Sequence, residues 1–349
     1  MSIRLIRSCL ISAAVGIAGL GCAGASLAAK VDGPKLSWDL STWGGKRAAT
    51  AGAEELARLV SEATDGNFTI KIHYAEALGP IREALDGLAV GAFQMTYTVP
   101  SYTPGKIPTF EGLSLPFLPA PTMAHVKAMR EGFLTSPIPH KDAGRWGISI
   151  ITLQQNPPTQ MLGKGKPPQS LNDLKGMRIR AIGGDAAAMK LIGASPQNMP
   201  LTEVYGGIER GLLDAAASVY SSLAAYKLQE VSNWYTTNFA VSLPGGVILA
   251  SAKAMDSLAP QYRKLIMDSV PAVNQQWMKV DIRDDEAAVD AFKAKGLAPV
   301  AFQERDLDNL RQQVRPIWDA WVEQIDKLGY NGKELLQVIL DSSRKANVN

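Results

Sequence analysis

Between residues 35 and 99 the hydrophobic pattern switches repeatedly from period two to the helical period, which restricts the chain to folds that alternate strands with helices. Residues Lys35 to Thr42 alternate apolar and polar, as a half-buried strand does. Arg47 to Ala63 is rich in Ala, Glu and Leu, and Leu56, Val60 and Ala63 mark the apolar face of an amphipathic helix. Asp65-Gly66 ends that helix and Phe68 to His73 reads as a second strand. Arg82 to Val90 predicts a helix and Phe93 to Val99 a third strand. The expected architecture is α/β with largely parallel sheet.

The pattern then repeats. The strand Gly147 to Leu153 runs into Asn156-Pro157-Pro158, and Pro167-Pro168 follows, which suggests a crossover into a second domain. Met177 to Ile182 predicts a strand, and Asp185 to Ile192 and Val204 to Leu213 predict helices. Leu243 to Ala250 reads as a returning crossover strand. Beyond it the chain reads as mostly helix: Lys253 to Leu258, Gln261 to Lys295 with a kink at Pro271, Glu304 to Leu328, and Lys333 to Lys345. Two α/β lobes joined by more than one crossover make a hinged design around a cleft. The expected first lobe is 30–154 plus 243–285, and the second is 155–242 plus 286–349.

The N-terminus has a different character. Arg4 and Arg7 precede an uncharged stretch, Ser8 to Ala29, that ends in the small residues Ala23, Gly24, Ala25, Ser26, Leu27, Ala28 and Ala29. This is the layout of a secretory signal peptide over residues 1–29. A membrane anchor and a lipid-bearing Cys22 are the alternatives, but Gly19 is a poor residue three before a lipidated cysteine. Cleavage near Ala28 or Ala29 removes both cysteines, Cys9 and Cys22, and lowers the net charge from +3 to +1. The mature chain is therefore expected in the periplasm or outside the cell. Its near-neutral charge gives no footprint for nucleic acid.

Motifs for catalysis are missing: there is no phosphate loop, no dinucleotide fingerprint, no zinc-protease helix and no serine nucleophile elbow. His73 ends a strand, His125 lies in a helix, and His140 follows Pro137-Ile138-Pro139 in an expected loop. No pair of them has metal-ligand spacing, so neither metal nor cofactor is indicated.

One segment carries more information. Ser170-Leu-Asn-Asp-Leu-Lys-Gly-Met-Arg-Ile-Arg-Ala181 is followed by Gly193-Ala-Ser-Pro196, Leu201-Thr-Glu-Val-Tyr205 and Ile208-Glu-Arg-Gly-Leu-Leu-Asp214. Upstream lie Ala77-Leu-Gly-Pro-Ile-Arg-Glu83 and Leu115-Pro-Phe-Leu118. In order and spacing these segments resemble the DctP-like extracytoplasmic solute-binding proteins of tripartite ATP-independent periplasmic (TRAP) transporters. The resemblance implies a two-domain periplasmic binding protein in which a long helix braces both lobes. It further implies capture of an organic acid by closure, delivery to the transporter's membrane subunits, no catalysis, and action as a monomer.

The second arginine of the hallmark, Arg180 here, is the carboxylate ligand that the resemblance implies. A guanidinium suits that role because its planar paired donors match a carboxylate bidentately. Strand alternation puts Arg178 on the same face, so spacing alone does not choose between them. By position the resemblance also points to Thr42, Trp43, Tyr97, Val99, Tyr102, Gln160, Ser218 and Tyr220 as pocket residues. Gln160 falls where many relatives carry a second arginine. After Asp214 this chain reads Ala-Ala-Ala-Ser-Val-Tyr220, without the family's usual Gly, Glu and Asn or Trp. A less polar cleft follows, suited to a monocarboxylate with an apolar or aromatic body. Two other readings remain open on sequence: a binding protein of another importer or sensor, and a secreted hydrolase.

Overall fold

The structure, a computed structural model, describes residues 30–346; the expected signal peptide and both cysteines lie outside the described residues. The first half comprises β1 (Leu36–Ser41), α1 (Ala51–Ala63), β2 (Phe68–His73), α2 (Ala84–Val90), β3 (Met95–Thr98), α3 (Met123–Thr135), α4 (Pro137–Gly144) and β4 (Ile148–Leu153). A middle section follows with β5 (Gln160–Gly163), β6 (Arg178–Arg180), α5 (Gly183–Leu191), β7 (Ser195–Gln197), α6 (Val204–Glu209), β8 (Ala215–Ser218), α7 (Tyr220–Ala225) and β9 (Trp234–Thr236). The chain closes with β10 (Val247–Ser251), α8 (Ala252–Ser257), α9 (Pro260–Ala294), β11 (Ala298–Val300), α10 (Glu304–Gln313), α11 (Arg315–Lys327) and α12 (Gly332–Lys345).

Two sheets result, one of five strands ordered β2-β1-β3-β10-β4 and one of six ordered β11-β9-β5-β8-β6-β7. The expectation of largely parallel sheets needs one correction. Each sheet contains a strand antiparallel to both its neighbours: β10 in the first and β5 in the second. These two strands directly follow the crossovers, so the chain arrives from the other lobe and runs against the local grain.

Both sheets are covered on both faces, which is why strands such as β10 are apolar without interruption. Ile248 and Ala250 pack with Trp38, Leu56 and Trp277 on one side of the first sheet. Val247 and Leu249 pack with Phe110, Phe133 and Ile339 on the other. In the second sheet Met161, Ala215 and Ala217 face Leu307 and Leu310, while Leu162 and Ala216 face Val204 and Phe292.

Helix α9 runs through Pro271 for 35 residues and serves both lobes. Its Tyr262, Ile266, Val273 and Trp277 belong to the first core, and its Ala288 and Phe292 to the second. At 1.5 Å per residue this is a brace about 50 Å long. Gly52 of α1 lets the Trp277 ring approach so closely that an added Cβ would sit 2.1 Å from it.

Several local expectations change. The helix predicted over Val204–Leu213 ends at Glu209. The predicted Glu304–Leu328 helix is two helices broken at Val314, where Pro316 starts the second. His140 lies in α4, not in a loop, because Ser136 caps a proline-initiated helix there. Leu243 to Gly246 is extended crossover, and the strand begins only at Val247.

The C-terminal residues also depart from the expected division. Trp321, Ile325, Leu335, Leu336 and Ile339 of α11 and α12 pack in the first lobe's core, against the assignment of 286–349 to the second. Their apolar faces pack on α3 and the Pro108–Ser114 turn, where Trp321 Nε1 donates to Pro108 O at 2.9 Å.

The crossovers run side by side. Gln154 N donates to Gly246 O at 2.8 Å, Asn156 Nδ2 to Pro244 O at 2.8 Å, and Thr159 N to Ser242 O at 3.1 Å. Buried Arg130 of α3 touches both, donating to Leu243 O at 2.5 Å and to Asn156 Oδ1 at 3.4 Å. Buried Asp185 accepts from Thr159 Oγ1 at 2.8 Å.

Away from the hinge, α5 starts directly against residues 114–116. A Cβ on Gly184 would lie 1.8 Å from the Ser114 carbonyl oxygen. That atom is backbone and cannot rotate away, so Gly184→Ala is expected to cost about 1–3 kcal/mol of stability, measured as a lower midpoint in denaturant unfolding.

Candidate functional site

The ends of four strands meet between the sheets. β1 leads to Trp43, β3 to Tyr97 and Val99, β6 to Arg180 and Ile182, and β8 to Ser218 and Val219. All four are carboxyl ends, the usual location of ligands in α/β sheets. The crossover residues Gln154, Asn156, Pro244, Gly245 and Gly246 form part of the wall of a partly enclosed cavity of about 40 Å³.

Arg180 is 1% exposed, a burial that an ionic side chain tolerates only with partners. Its Nε donates to Met199 O at 2.9 Å, Nη1 to Ala217 O at 2.8 Å, and Nη2 to the Tyr102 hydroxyl at 3.2 Å. A guanidinium has five N–H groups, so one remains on each terminal nitrogen. Those two hydrogens, one on each terminal nitrogen, are the donors that a carboxylate fork would use. Because the Tyr102 oxygen already accepts from Arg180, its own hydrogen is left to donate beside that fork.

Aromatic rings face the arginine. Trp43 stacks on Tyr97 with centroids 5.0 Å apart and planes at 22°, and Tyr102 meets Trp43 edge-on at 5.5 Å. The Tyr97 hydroxyl donates to Gln154 Oε1 at 2.7 Å, and burial pushes its pKa well above the usual tyrosine value. Gly246 permits this arrangement, since a Cβ there would come within 2.1 Å of the Tyr97 ring.

Of the residues singled out from sequence, the structure brings Trp43, Tyr97, Val99, Tyr102, Arg180 and Ser218 to the cavity. It does not bring the other three. Gln160 is buried at the start of β5, where its Oε1 accepts from Thr236 Oγ1 at 2.8 Å and Phe239 N at 3.0 Å. Its amide satisfies backbone and side-chain donors inside the second lobe, so a match by position did not mean a shared direction. Tyr220 donates to Thr236 O and lines a separate groove with Ile282 and Val289. Thr42 is buried at the end of β1 but is not part of the cavity wall.

Arg178 and Arg180 differ as neighbours on one strand face can. Arg178 is exposed and pairs with Asp214 at 2.6 Å, holding that carboxyl below its usual range. Sequence reasoning missed Gln154, Asn156 and the Pro244-Gly245-Gly246 turn. The proline pair marked the first crossover and the diglycine the second, yet nothing in sequence said that they pack together.

Access to Arg180 requires the lobes to part. Three further contacts bridge them: Asn198 Nδ2 donates to Ser101 O and Arg82 Nη2 to Asn198 O, each at 3.1 Å, and Arg47 lies 5.6 Å from the Tyr226 ring centroid. A cavity of about 40 Å³ holds a few waters at most.

Two α/β lobes, a double crossover, a bracing helix and a buried arginine between the lobes define a hinged solute-binding protein. The comparisons agree. Residues 41–324 match the model of the DctP family, bacterial extracellular solute-binding protein family 7, and the chain belongs to that family. It is 25% identical over 291 residues to the 2,3-diketo-L-gulonate-binding periplasmic protein YiaO of Escherichia coli, covering 82% of this chain and 86% of that protein.

Among solved structures, a TRAP solute-binding protein from Rhodoferax ferrireducens, in complex with copurified benzoate, aligns with a TM-score of 0.80 at 22% identity. The alignment covers 89% of this chain and 98% of that one. A marine metagenome TRAP protein specific for aromatic acids, bound to 3-hydroxybenzoate, aligns at 0.77 and 21% identity over 90% and 99% of the two chains. These likenesses establish the fold. Membership of this family does not favour the rival reading of another importer class. Among the described residues no helix is long and apolar enough to cross a membrane.

Buried carboxyls give the region a pH signature. Desolvation raises Asp185 and Asp285 to about 6 and Asp281 to about 7. Each folded value exceeds the unfolded one near 4, so the folded state holds more protons between those limits. The stability they contribute is present at low pH and lost as pH rises toward 7. A higher thermal midpoint at pH 5.5 than at pH 8 is expected in a scanning measurement.

Proposed function

We propose that this protein captures an organic acid in the periplasm by closure of its lobes and delivers it to the membrane subunits of a TRAP transporter. The observation that carries this reading is the unspent fork of Arg180 at the cavity wall. One buried cation, three neutral aromatic rings and amide side chains suit a single carboxylate on a flat, weakly polar body. Closure places Arg180, from the second lobe, and Tyr102, from the first, on the same ligand group. Contacts made only in the closed state are what shift the equilibrium toward it.

In this reading the acid is released unchanged, which membership of a family of solute-binding proteins supports. The expected lobes are 30–154 plus 243–285 and 155–242 plus 286–314, with the last two helices returned to the first. Support for the monocarboxylate comes from the stacked Trp43 and Tyr97 and from Asp214-Ala-Ala-Ala-Ser218, which puts no amide or carboxylate where β8 ends.

Arg180→Ala is expected to weaken binding at least about tenfold, since a hydrogen bond to a charged group contributes about 1.5–3 kcal/mol. Arg180→Lys is also expected to weaken it, because an ammonium lacks the paired planar donors. Calorimetry with benzoate, galactonate and citrate provides the test. Unchanged affinity in the lysine variant removes Arg180 from this role, and much tighter binding of citrate than of the monoacids refutes the ligand class.

A further inference from the structure

Beneath the cavity runs a chain of hydrogen bonds that the binding of a carboxylate does not itself need. Asp281 of α9 is 1% exposed. Its Oδ2 accepts from Gln154 Nε2 at 2.8 Å, and its Oδ1 is buried with no partner among the described residues. Gln154 Oε1 in turn accepts from the Tyr97 hydroxyl at 2.7 Å and from Gly246 N at 3.0 Å. Gln154, Tyr97 and Gly246 all line the cavity, and Gln154 and Gly246 sit on different crossovers.

A carboxylate only accepts, so it forces the Gln154 amide to turn its NH₂ toward α9 and its carbonyl toward the cavity. That orientation obliges Tyr97 to donate to Gln154, which fixes the ring stacked on Trp43. The hydroxyl oxygen of Tyr97 is thereby left to accept from a ligand.

We propose that Asp281 is a positioning residue of the cleft, acting through Gln154 on Tyr97 and on the crossover at Gly246, and that it takes up a proton when an anionic ligand is enclosed. The inference rests on the reading that Arg180 holds a carboxylate. An anion brought into a closed, weakly polar cavity disfavours a second negative charge beneath its wall, and exclusion of water acts in the same direction. Both effects move a proton from solvent onto the unpaired Oδ1, so that Oδ2 goes on accepting from Gln154 and the amide keeps its orientation. In the closed protein burial already raises Asp281 to about 7, so the group is poised to respond near neutrality.

The charges around it are few. Asp284 and Asp285 on its own helix raise it further, and Arg130 of α3 lowers it. From the segment before α1, Arg47 shares a groove with Asp284, together with Glu54, Glu55 and Arg58 of α1. Across α9, α7 offers Tyr220 and, at its end, Tyr226, whose hydroxyls are held neutral by burial. Strand β4 offers no ionisable side chain.

The test is calorimetric titration of the mature chain with benzoate at pH 7, in buffers of low and high ionisation enthalpy. The dependence of the apparent heat on the buffer gives the protons exchanged. The wild type is expected to take up about 0.3–0.5 proton, and to bind about fivefold more tightly at pH 6 than at pH 8. Asp281→Asn keeps the size of the side chain and is expected to bind benzoate with no uptake and a flat profile over that range. Arg180→Ala loses binding at every pH, so failure of the arginine reading is distinguishable from failure of this one. Proton release by the wild type, equal affinity at pH 6 and pH 8, or undiminished uptake in Asp281→Asn would overturn the proposal. The first two outcomes are read on the wild type alone and stand even if the variant does not fold.

Discussion

The side-by-side run of two crossovers, Gln154–Thr159 and Ser242–Gly246, is the constraint on which the rest of the structure depends. It is buried, so every backbone and amide group in it requires a partner. The segments supply most of these to each other, through Gln154 with Gly246, Asn156 with Pro244 and Thr159 with Ser242. Such pairing at a few points, unlike a continuous sheet, lets the lobes rotate without exposing a strand edge. Arg130 from one lobe holds Leu243 and Asn156, and Asp185 from the other holds Thr159.

The cavity inherits its properties from that location. Because the crossovers form its floor, a change in hinge angle alters the distance between Tyr102 and Arg180 directly. Burial of an arginine is tolerable there because two backbone carbonyls and a hydroxyl take three of its five hydrogens. The remaining two hydrogens have no protein acceptor among the described residues. Helix α9 is packed into both cores and ties the two lobes together outside the crossovers.

Much of this was legible in the sequence. Alternation of hydrophobic period identified β1 and β2 to within a residue, since a surface helix cannot alternate. The paired prolines marked one crossover, and the diglycine after Leu243 marked the other. Arg180 was singled out by its motif, and the exposed pairing of Arg178 with Asp214 accounts for its neighbour. Less visible were the short strands β5, β8 and β9, whose three or four residues are too few to carry a period. The helices α3 and α4 also gave little signal, because their buried faces include His125, Arg130 and Asp142, polar groups that no hydrophobic pattern announces.

The sequence by itself determined the class of fold, the double crossing between lobes and the arginine at the end of β6, because these are properties of local pattern and of one motif. Only the tertiary structure decided which residues share the cavity. Gln160 and Tyr220 matched by position yet turn inward to satisfy Thr236, while Gln154 and Asn156, unremarkable in sequence, reach the site. The reason is physical: a buried amide or hydroxyl points to whichever partner relieves its desolvation. That partner can lie far along the chain, as Thr236 lies 76 residues from Gln160 and Asn274 lies 122 from Thr152.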